Sequence, residues 1–190
     1  MLTKFIEVSR QCHEGQAIDL STRIDEVTPR QAQATALAIS RWKTGRLVSL
    51  AAWCGAHAAA GSPSTLRAAA AFGCRIGICL QMKNDLDELT GFVAGAERCD
   101  DMRNRRVTWP WAWAAGRLSA ERFATLQQRL ARPSANVASL RSLAKDLLAV
   151  TQEDAAAAIQ ARLHRATDLL AAATDGDCRA GRLAEVTDVL

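Results

Sequence analysis

Four oxygen-bearing side chains in the middle of the sequence have the spacing of a cation-binding helix face. Gln81, Asp85 and Glu88 follow one another at intervals of four and three residues, and Asn84 lies three residues after Gln81. On a helix these positions share one stripe. Two carboxylates one turn apart repel each other unless a divalent cation bridges them, and an all-oxygen ligand set suits Mg²⁺ completed by substrate phosphates. The same spacing also fits a solvated polar face.

A second candidate is the tripeptide Lys43-Thr44-Gly45, which falls inside a long helical pattern. Glycine within a helix costs about 1 kcal/mol relative to alanine. Gly45 therefore marks a kink or a close approach to another part of the molecule. At such a break Lys43 and Thr44 could reach a phosphate group. A glycine kept only for packing is the alternative interpretation.

A third candidate is the basic stretch from Arg98 to Arg106, in which four of nine residues are arginine. Arginine binds phosphate oxygens through two parallel hydrogen bonds, so this stretch could clamp an anion. It begins just past the acidic helix face. A solvated basic loop is the alternative interpretation.

Hydroxyl–proline pairs predict where the helices that carry these residues begin. Thr28-Pro29 and Ser62-Pro63 each place a capping hydroxyl before a proline that suits the first helical turn. Gly91 and Gly95 then interrupt the pattern and predict a charged, mobile loop. The predicted segments are a first helix over about 2–22, helices over about 30–60 and 64–90, and the loop over 91–108.

The remainder of the sequence also predicts helices. Trp109, Trp111 and Trp113 lie in a predicted short buried helix over 108–115, and Ser119 can cap the helix after it. Apolar residues at helical spacing continue toward a turn at 175–177, in three groups: Phe123, Leu126 and Leu130; Leu140, Leu143 and Leu147; and Ile159, Leu163, Ala166 and Leu170. No segment alternates with a period of two. The predicted fold class is all-α, with residues 1–190 forming one domain.

The composition agrees with a helical protein that requires neither a membrane nor a nucleic acid. Alanine accounts for 38 of 190 residues, aromatic residues for 5%, and tyrosine is absent, which argues against a β-rich fold. No apolar run approaches the ~20 residues of a membrane span. The net charge of +4 includes no long basic block, so a nucleic acid is not an expected partner.

The start of the sequence and its cysteines indicate a reducing compartment. The apolar run within Met1–Glu7 breaks too early for a secretory signal, so we expect a cytoplasmic protein. The six cysteines are irregularly spaced and most lie in apolar stretches, which predicts reduced, buried thiols. Cys74 and Cys79 have no second pair beside them, so they do not predict a zinc site.

Four motifs occur in the order and at the intervals typical of one enzyme family. They are Gly-Gln-x-x-Asp-Leu at 15–20, Lys-Thr-Gly at 43–45, Gln-Met-x-Asn-Asp-x-x-Glu at 81–88 and Asp-Met-x-x-x-Arg-x-Thr-Trp-Pro at 101–110. With them the sequence resembles the trans-isoprenyl diphosphate synthases, or polyprenyl synthetases, from about residue 10 to about 115. The resemblance implies an all-α helical bundle of the isoprenoid-synthase type.

The resemblance also implies a reaction and assigns roles to residues. In this family Mg²⁺ ions hold an allylic diphosphate, whose ionisation gives a cation that isopentenyl diphosphate attacks. The second acidic, metal-binding motif falls on Asn84, Asp85 and Glu88, and Asp101 matches an aspartate of the following loop. The remaining assignments are Lys43, Thr44 and Gln81 for catalysis, and Lys43, Arg98 and Arg106 for diphosphate binding.

Two departures from the family pattern bear on function. Asn84 and Glu88 replace two of the three usual aspartates, so the first position loses its charge and the last gains a longer arm. The family's first acidic motif, Asp-Asp-x-x-Asp, is absent, and the only Asp-Asp dipeptide is at 100–101. The sequence therefore corresponds to the C-terminal portion of the fold, without the N-terminal helices. We expect it to be inactive alone, and to pair with a second chain carrying the first motif, as a heterodimer, or with a rearranged copy of itself, as a homo-oligomer.

Three interpretations of function follow. The preferred one is a prenyltransferase subunit that condenses an allylic diphosphate with isopentenyl diphosphate. The second is part of a class I terpene synthase, which ionises such a diphosphate and then cyclises it, and the altered acidic motif favours keeping this alternative. The third is a non-catalytic partner that modulates a full-length synthase. The retained Lys43, Gln81 and Asp85 count against the third, because a pure interaction module does not need them.

Overall fold

Helices make up all regular structure in the residues that the computed structural model describes, which are 1–132 and 136–173. A 3₁₀ turn at Ile24–Glu26 follows the first helix, and six π-helical residues, Ser40–Gly45, join the second helix to the third; we call this segment the π-turn. With no β-strand in the described part, the predicted all-α class is confirmed. The helices are α1 (Leu2–Ser21), α2 (Pro29–Ile39), α3 (Arg46–Ala58), α4 (Pro63–Ala94), α5 (Asp100–Arg103), α6 (Trp109–Arg117), α7 (Ala120–Ala131) and α8 (Val137–Ala173).

Side-chain caps start three of these helices at the predicted places. At α2 the Thr28 amide donates to Gln31 Oε1 at 2.9 Å, and the Gln31 amide donates to Thr28 Oγ1 at 3.3 Å, which is a reciprocal capping box. At α4 the Ser62 hydroxyl oxygen, and at α7 that of Ser119, accepts from the amide three residues later. Each cap satisfies an amide that has no partner inside its own helix.

Three predicted boundaries differ from the observed helices. The π-turn divides the helix predicted over about 30–60, and α4 continues to Ala94, past its predicted end near residue 90. The last two apolar stripes lie on one helix, α8. Gly91 does not stop α4, because it is exposed and contributes only a weak local preference against the helix. The turn predicted at 175–177 lies outside the described residues.

The chain forms two compact units, whose boundaries fall within helices. Unit 1 comprises Met1–Gln16, Ile39–Gln81 and the described residues from Ala158 to Ala173. Unit 2 comprises Ala17–Ala38 and Met82–Ala157. Each unit is assembled from segments distant in sequence. The expectation of a single domain over residues 1–190 stays a prediction.

Each unit has its own apolar core. In unit 1, Phe72 of α4 packs with Ala166 and Leu170 of α8. In unit 2, Trp111 of α6 meets the ring of Phe123 edge-on, with 5.9 Å between ring centroids, and both side chains are buried. The predicted tryptophan-rich helix is thus the buried α6. The apolar stripe of α7 and the first stripe of α8 are buried in the same unit, at Leu126, Leu130, Leu140, Leu143 and Leu147.

The five described cysteines are all free thiols, as predicted. Cys79 and Cys99 are buried, and burial raises the pKa of Cys79 to about 11 and that of Cys99 to about 12. The other three, Cys12, Cys54 and Cys74, are only half-buried, so the expectation of burial holds for two of the five. None of the described helices combines the length and the apolar character needed to cross a lipid bilayer.

Candidate functional site

Two carboxylates of α4 accept hydrogen bonds from backbone amides of the next two helices, α5 and α6, within unit 2. The Trp109 amide, at the start of α6, donates to Asp85 Oδ2 at 3.0 Å. The Asp101 amide, in α5, donates to Glu88 Oε1 at 3.1 Å. Asp85 is buried and Glu88 is half-buried. Because helix N-termini present unpaired amides and a partial positive charge, carboxylates are favourable partners there.

Four carboxylates share this region of unit 2. Burial, and then the negative charges of Asp85, Glu88 and Asp19, raise the pKa of Asp101 to about 7. A hydrogen bond between the Asp101 and Glu88 side chains acts in the same direction. The cluster therefore brings several carboxylates together in a partly desolvated region, which would strongly attract a divalent cation.

The residues present fit Mg²⁺ only as part of a larger ligand set. Among residues 1–132 and 136–173, no group of three or more His, Cys, Asp or Glu side chains could hold a metal ion. The Asn84 side chain is exposed and forms no hydrogen bond with the described residues. Mg²⁺ is usually bound by one or two carboxylates together with substrate phosphates. Asp85 and Glu88 match that pattern, and Asn84 as a third ligand stays a prediction.

Asp87 supports the register predicted for the acidic face of α4. It lies two residues after Asp85, is exposed, and forms an ion pair with Lys83 at 2.9 Å. Positions two apart on a helix point in different directions. Asp85 is thus directed to the buried cluster, whereas Asp87 interacts with a neighbour on its own helix surface.

The π-turn carries two of the predicted catalytic residues in unit 1. Lys43 and Thr44 are half-buried, and Thr44 Oγ1 donates to Gln81 Oε1 on α4 at 2.7 Å. The third predicted catalytic residue is therefore in direct contact with the second. Gly45 is buried, and a Cβ there would lie 3.1 Å from the Cys74 carbonyl oxygen, so the predicted close approach is observed. π-helical turns within α-helices are frequent at functional sites.

Two arginines of the basic stretch, Arg105 and Arg106, bind residues in or shortly after α1. Arg106 Nη1 donates to the carbonyl oxygen of Asp19, in the last turn of α1, where a cation also offsets the partial negative charge of the helix end. Arg105 forms an ion pair with Asp25 at 2.9 Å. Arg98, by contrast, is exposed.

The segment 91–108 contains more helix and more buried residues than the charged loop predicted for it, while its predicted mobility stays a prediction. Its first four residues belong to α4, and 100–103 form α5. Cys99, Met102 and Val107 are buried, at 2%, 3% and 3% exposure. Their burial stabilises a segment whose sequence is dominated by charge. The few apolar residues were too widely spaced to signal this packing.

Sequence reasoning assigned no role to Asp19, which belongs to the cluster with Asp85, Glu88 and Asp101. Its place in the Gly-Gln-x-x-Asp-Leu motif was the available signal. The predicted site residues thus form two groups, one in each unit. Unit 1 holds Lys43, Thr44 and Gln81, and unit 2 holds Asn84, Asp85, Glu88, Arg98 and Arg106.

The helical architecture is that of the all-α isoprenoid-synthase fold. A decaprenyl diphosphate synthase from Rhodobacter capsulatus is 21% identical, with a TM-score of 0.73 over 99% of this chain and 57% of that one. A polyprenyl synthase from Roseobacter denitrificans is 22% identical, with a TM-score of 0.73 over 99% and 61%. One from Caulobacter crescentus, complexed with calcium and isoprenyl diphosphate, is 24% identical, with a TM-score of 0.73 over 98% and 57%.

The sequence model of the polyprenyl synthetase family matches residues 1–147, and the chain belongs to this family of prenyltransferases. The resemblance inferred from the four motifs is thereby confirmed. No curated protein sequence matches the chain. The chain spans only 57–61% of the length of these three solved structures.

Proposed function

We propose that this chain is the part of a trans-isoprenyl diphosphate synthase that supplies the second acidic helix and the diphosphate-binding side chains. The observation that carries the proposal is the carboxylate cluster of unit 2, in a member of the polyprenyl synthetase family. Burial, as the largest cause, and the neighbouring carboxylates raise the pKa of Asp101 to about 7. Shifted pKa values of this kind are concentrated at functional sites.

The metal-binding residues and the diphosphate-binding residues have separate roles in the ionisation of an allylic diphosphate. Asp85 and Glu88 would hold Mg²⁺ together with diphosphate oxygens. The metal ion supplies Lewis-acid stabilisation of the charge that develops on the departing diphosphate. Lys43 contributes a fixed positive charge for binding diphosphate, and the bond from Thr44 to Gln81 fixes the orientation of both side chains. Arg98 and Arg106 contribute further positive charge.

A second chain that carries the first acidic motif would complete the enzyme as a heterodimer. The sequence contains no Asp-Asp-x-x-Asp. At the start of α1, Leu2, Phe5 and Ile6 are 71%, 56% and 58% exposed, and they share one helix face. Large apolar side chains exposed together are typical of an interaction surface. The exposed apolar face supports a further protein surface packed against the start of α1, and we propose that the second chain supplies it.

Product analysis with and without a candidate partner tests the proposal. We expect the isolated chain to form no product from allylic and isopentenyl diphosphates. The chain mixed with a protein carrying Asp-Asp-x-x-Asp is expected to elongate the allylic substrate, and chelation of Mg²⁺ should abolish this elongation. Elongation by a monomer of the isolated chain would contradict the subunit arrangement.

Two other products of the same assay would point to the alternatives. A cyclised hydrocarbon formed without isopentenyl diphosphate would identify a terpene synthase part. A partner that is fully active alone, and whose product length changes when this chain is added, would identify a modulator.

The arginines of the basic stretch give a prediction that separates binding from stability. Arg106→Ala is expected to weaken pyrophosphate binding about tenfold, because a charge-assisted phosphate contact is worth ~1.5–3 kcal/mol. It should also lower stability, since Arg106 holds the end of α1 through the Asp19 carbonyl. Arg106→Lys should recover much of the binding. Titration calorimetry and urea unfolding measure the two effects.

Arg98→Ala is the matched variant, because Arg98 is exposed. It should weaken pyrophosphate binding without changing the urea midpoint. Normal binding by both alanine variants would show that the basic stretch is only structural and solvated.

A further inference from the structure

Gly77 of α4 lies against the backbone of the π-turn. A Cβ added to Gly77 would lie 2.7 Å from Gly45 Cα, 2.8 Å from the Thr44 carbonyl oxygen and 3.0 Å from the Gly45 amide nitrogen. These contacts are all with main-chain atoms, which cannot rotate away as the end of a flexible side chain can. Gln81 follows Gly77 by one turn and accepts the hydrogen bond from Thr44. The contact therefore sets how closely Thr44 approaches Gln81.

Gly15 of α1 lies against a different part of the same backbone. A Cβ added to Gly15 would lie 2.7 Å from the Lys43 amide nitrogen, 2.8 Å from Trp42 Cβ and 2.9 Å from the Trp42 carbonyl carbon. The π-turn is therefore in contact with two helices, α1 and α4, and in both cases the contact requires glycine. An enlarged side chain on either helix would have to displace the residues that carry the predicted catalytic groups.

We propose that Gly15 and Gly77 are positioning residues for diphosphate binding, which set the positions of Lys43 and Thr44 through direct contact with the π-turn backbone. The proposal rests on the proposed function, in which Lys43 and Thr44 act on the diphosphate. A π-turn has wider hydrogen-bond spacing than the α-helix, and such turns are frequently found at functional sites. Displacement of a binding group by about 1 Å can cost about 100-fold in rate.

Other glycines of the chain provide matched controls. A Cβ on Gly73, one turn before Gly77, would lie 2.6 Å from the Val48 carbonyl oxygen and 2.8 Å from Ala52 Cβ. This contact is as tight, but it is made with α3 and not with the π-turn. At Gly91, also on α4, a Cβ would meet nothing within 4 Å. Gly73→Ala therefore controls for crowding, and Gly91→Ala for the substitution itself.

The experiment compares Gly77→Ala with these controls in the intact chain. The measurements are hydrogen exchange of the amides at 42–46, urea unfolding, and calorimetric binding of inorganic pyrophosphate with MgCl₂. We expect Gly77→Ala and Gly73→Ala both to lower stability. Only Gly77→Ala should speed exchange in the π-turn beyond the global change. It should also weaken pyrophosphate binding, by at most the roughly 10- to 100-fold expected for removal of the Lys43 charge. Gly91→Ala should match the wild type.

A double-mutant cycle tests whether the glycine acts through Lys43. In a Lys43→Met background, Gly77→Ala should weaken pyrophosphate binding by less than about twofold, since groups that act as a unit are not additive. Gly15→Ala repeats the comparison from α1 and serves if Gly77→Ala does not fold. Equal effects of Gly73→Ala and Gly77→Ala on exchange and binding would overturn the proposal, as would full additivity with Lys43→Met.

The exchange measurement separates this proposal from the proposed function. If the wild-type chain binds no pyrophosphate, the proposed function fails, and the exchange at 42–46 still decides whether Gly77 holds the π-turn. Exchange that is equally fast in Gly77→Ala and Gly73→Ala would then remove the positioning role as well.

Discussion

Asp85→Asn is expected to reduce Mg²⁺-dependent turnover of the chain with its partner by about 100-fold or more, with little change in stability. Asp85 is the one unaltered aspartate among the three motif positions, so the metal ion depends most on its charge. The amide removes that charge but keeps an oxygen, and this oxygen can still accept the hydrogen bond from the Trp109 amide. Initial rates across a range of Mg²⁺ concentrations and thermal unfolding measure the two quantities.

Asparagine is the informative substitution because alanine would change the fold as well as the charge. From the sequence alone, Asp85→Ala would be expected to leave the fold intact. In the structure Asp85 is buried and accepts from the Trp109 amide, so alanine would leave a buried donor without its partner. Loss of such a partner costs about 1–3 kcal/mol. The alanine variant therefore mixes two effects that asparagine separates.

Asp87→Asn is the matched control for this experiment. It makes the same chemical change on the same helix, at an exposed residue paired with Lys83. We expect activity and Mg²⁺ dependence close to those of the wild type. Equal loss of activity in both variants would show that the acidic face of α4 is assigned to the wrong residues.

Lys43→Met is expected to weaken binding of the allylic diphosphate by about 10- to 100-fold, the range for loss of one charge-assisted contact. Methionine keeps most of the aliphatic length of lysine and removes its charge, so packing around the half-buried side chain changes little. The wild-type affinity should fall as salt is raised, because part of it is electrostatic, and the variant should show a smaller salt dependence. Calorimetric titration at two ionic strengths measures both.

Arg41→Met tests whether the effect depends on position or only on net charge. Arg41 lies in the same π-turn and is exposed. Its loss lowers the net charge by the same amount, yet we expect the affinity to stay close to that of the wild type. Equal weakening by the two substitutions would mean that Lys43 acts only through the overall charge of the surface.

The sequence by itself determined the fold class, three of the helix starts and the identity of the candidate residues. These follow from near neighbours in the chain. The caps at Thr28, Ser62 and Ser119 join residues three positions apart. The outward direction of Asp87 follows from helical periodicity on α4. The end of α4 could not be predicted in the same way, because Gly91 is a weak signal that the rest of the helix overrides.

Only the tertiary structure decided what the candidate side chains contact. Asp85 meets an amide 24 positions away, Glu88 one that is 13 positions away, and Arg106 a carbonyl 87 positions away. No local rule relates such pairs, because their meeting depends on how helices pack once their apolar faces are buried. The same holds for Gly77, which looks in the sequence like any weak helix former. A larger residue does not fit at this position, because a Cβ there would lie only 2.7 Å from Gly45 Cα.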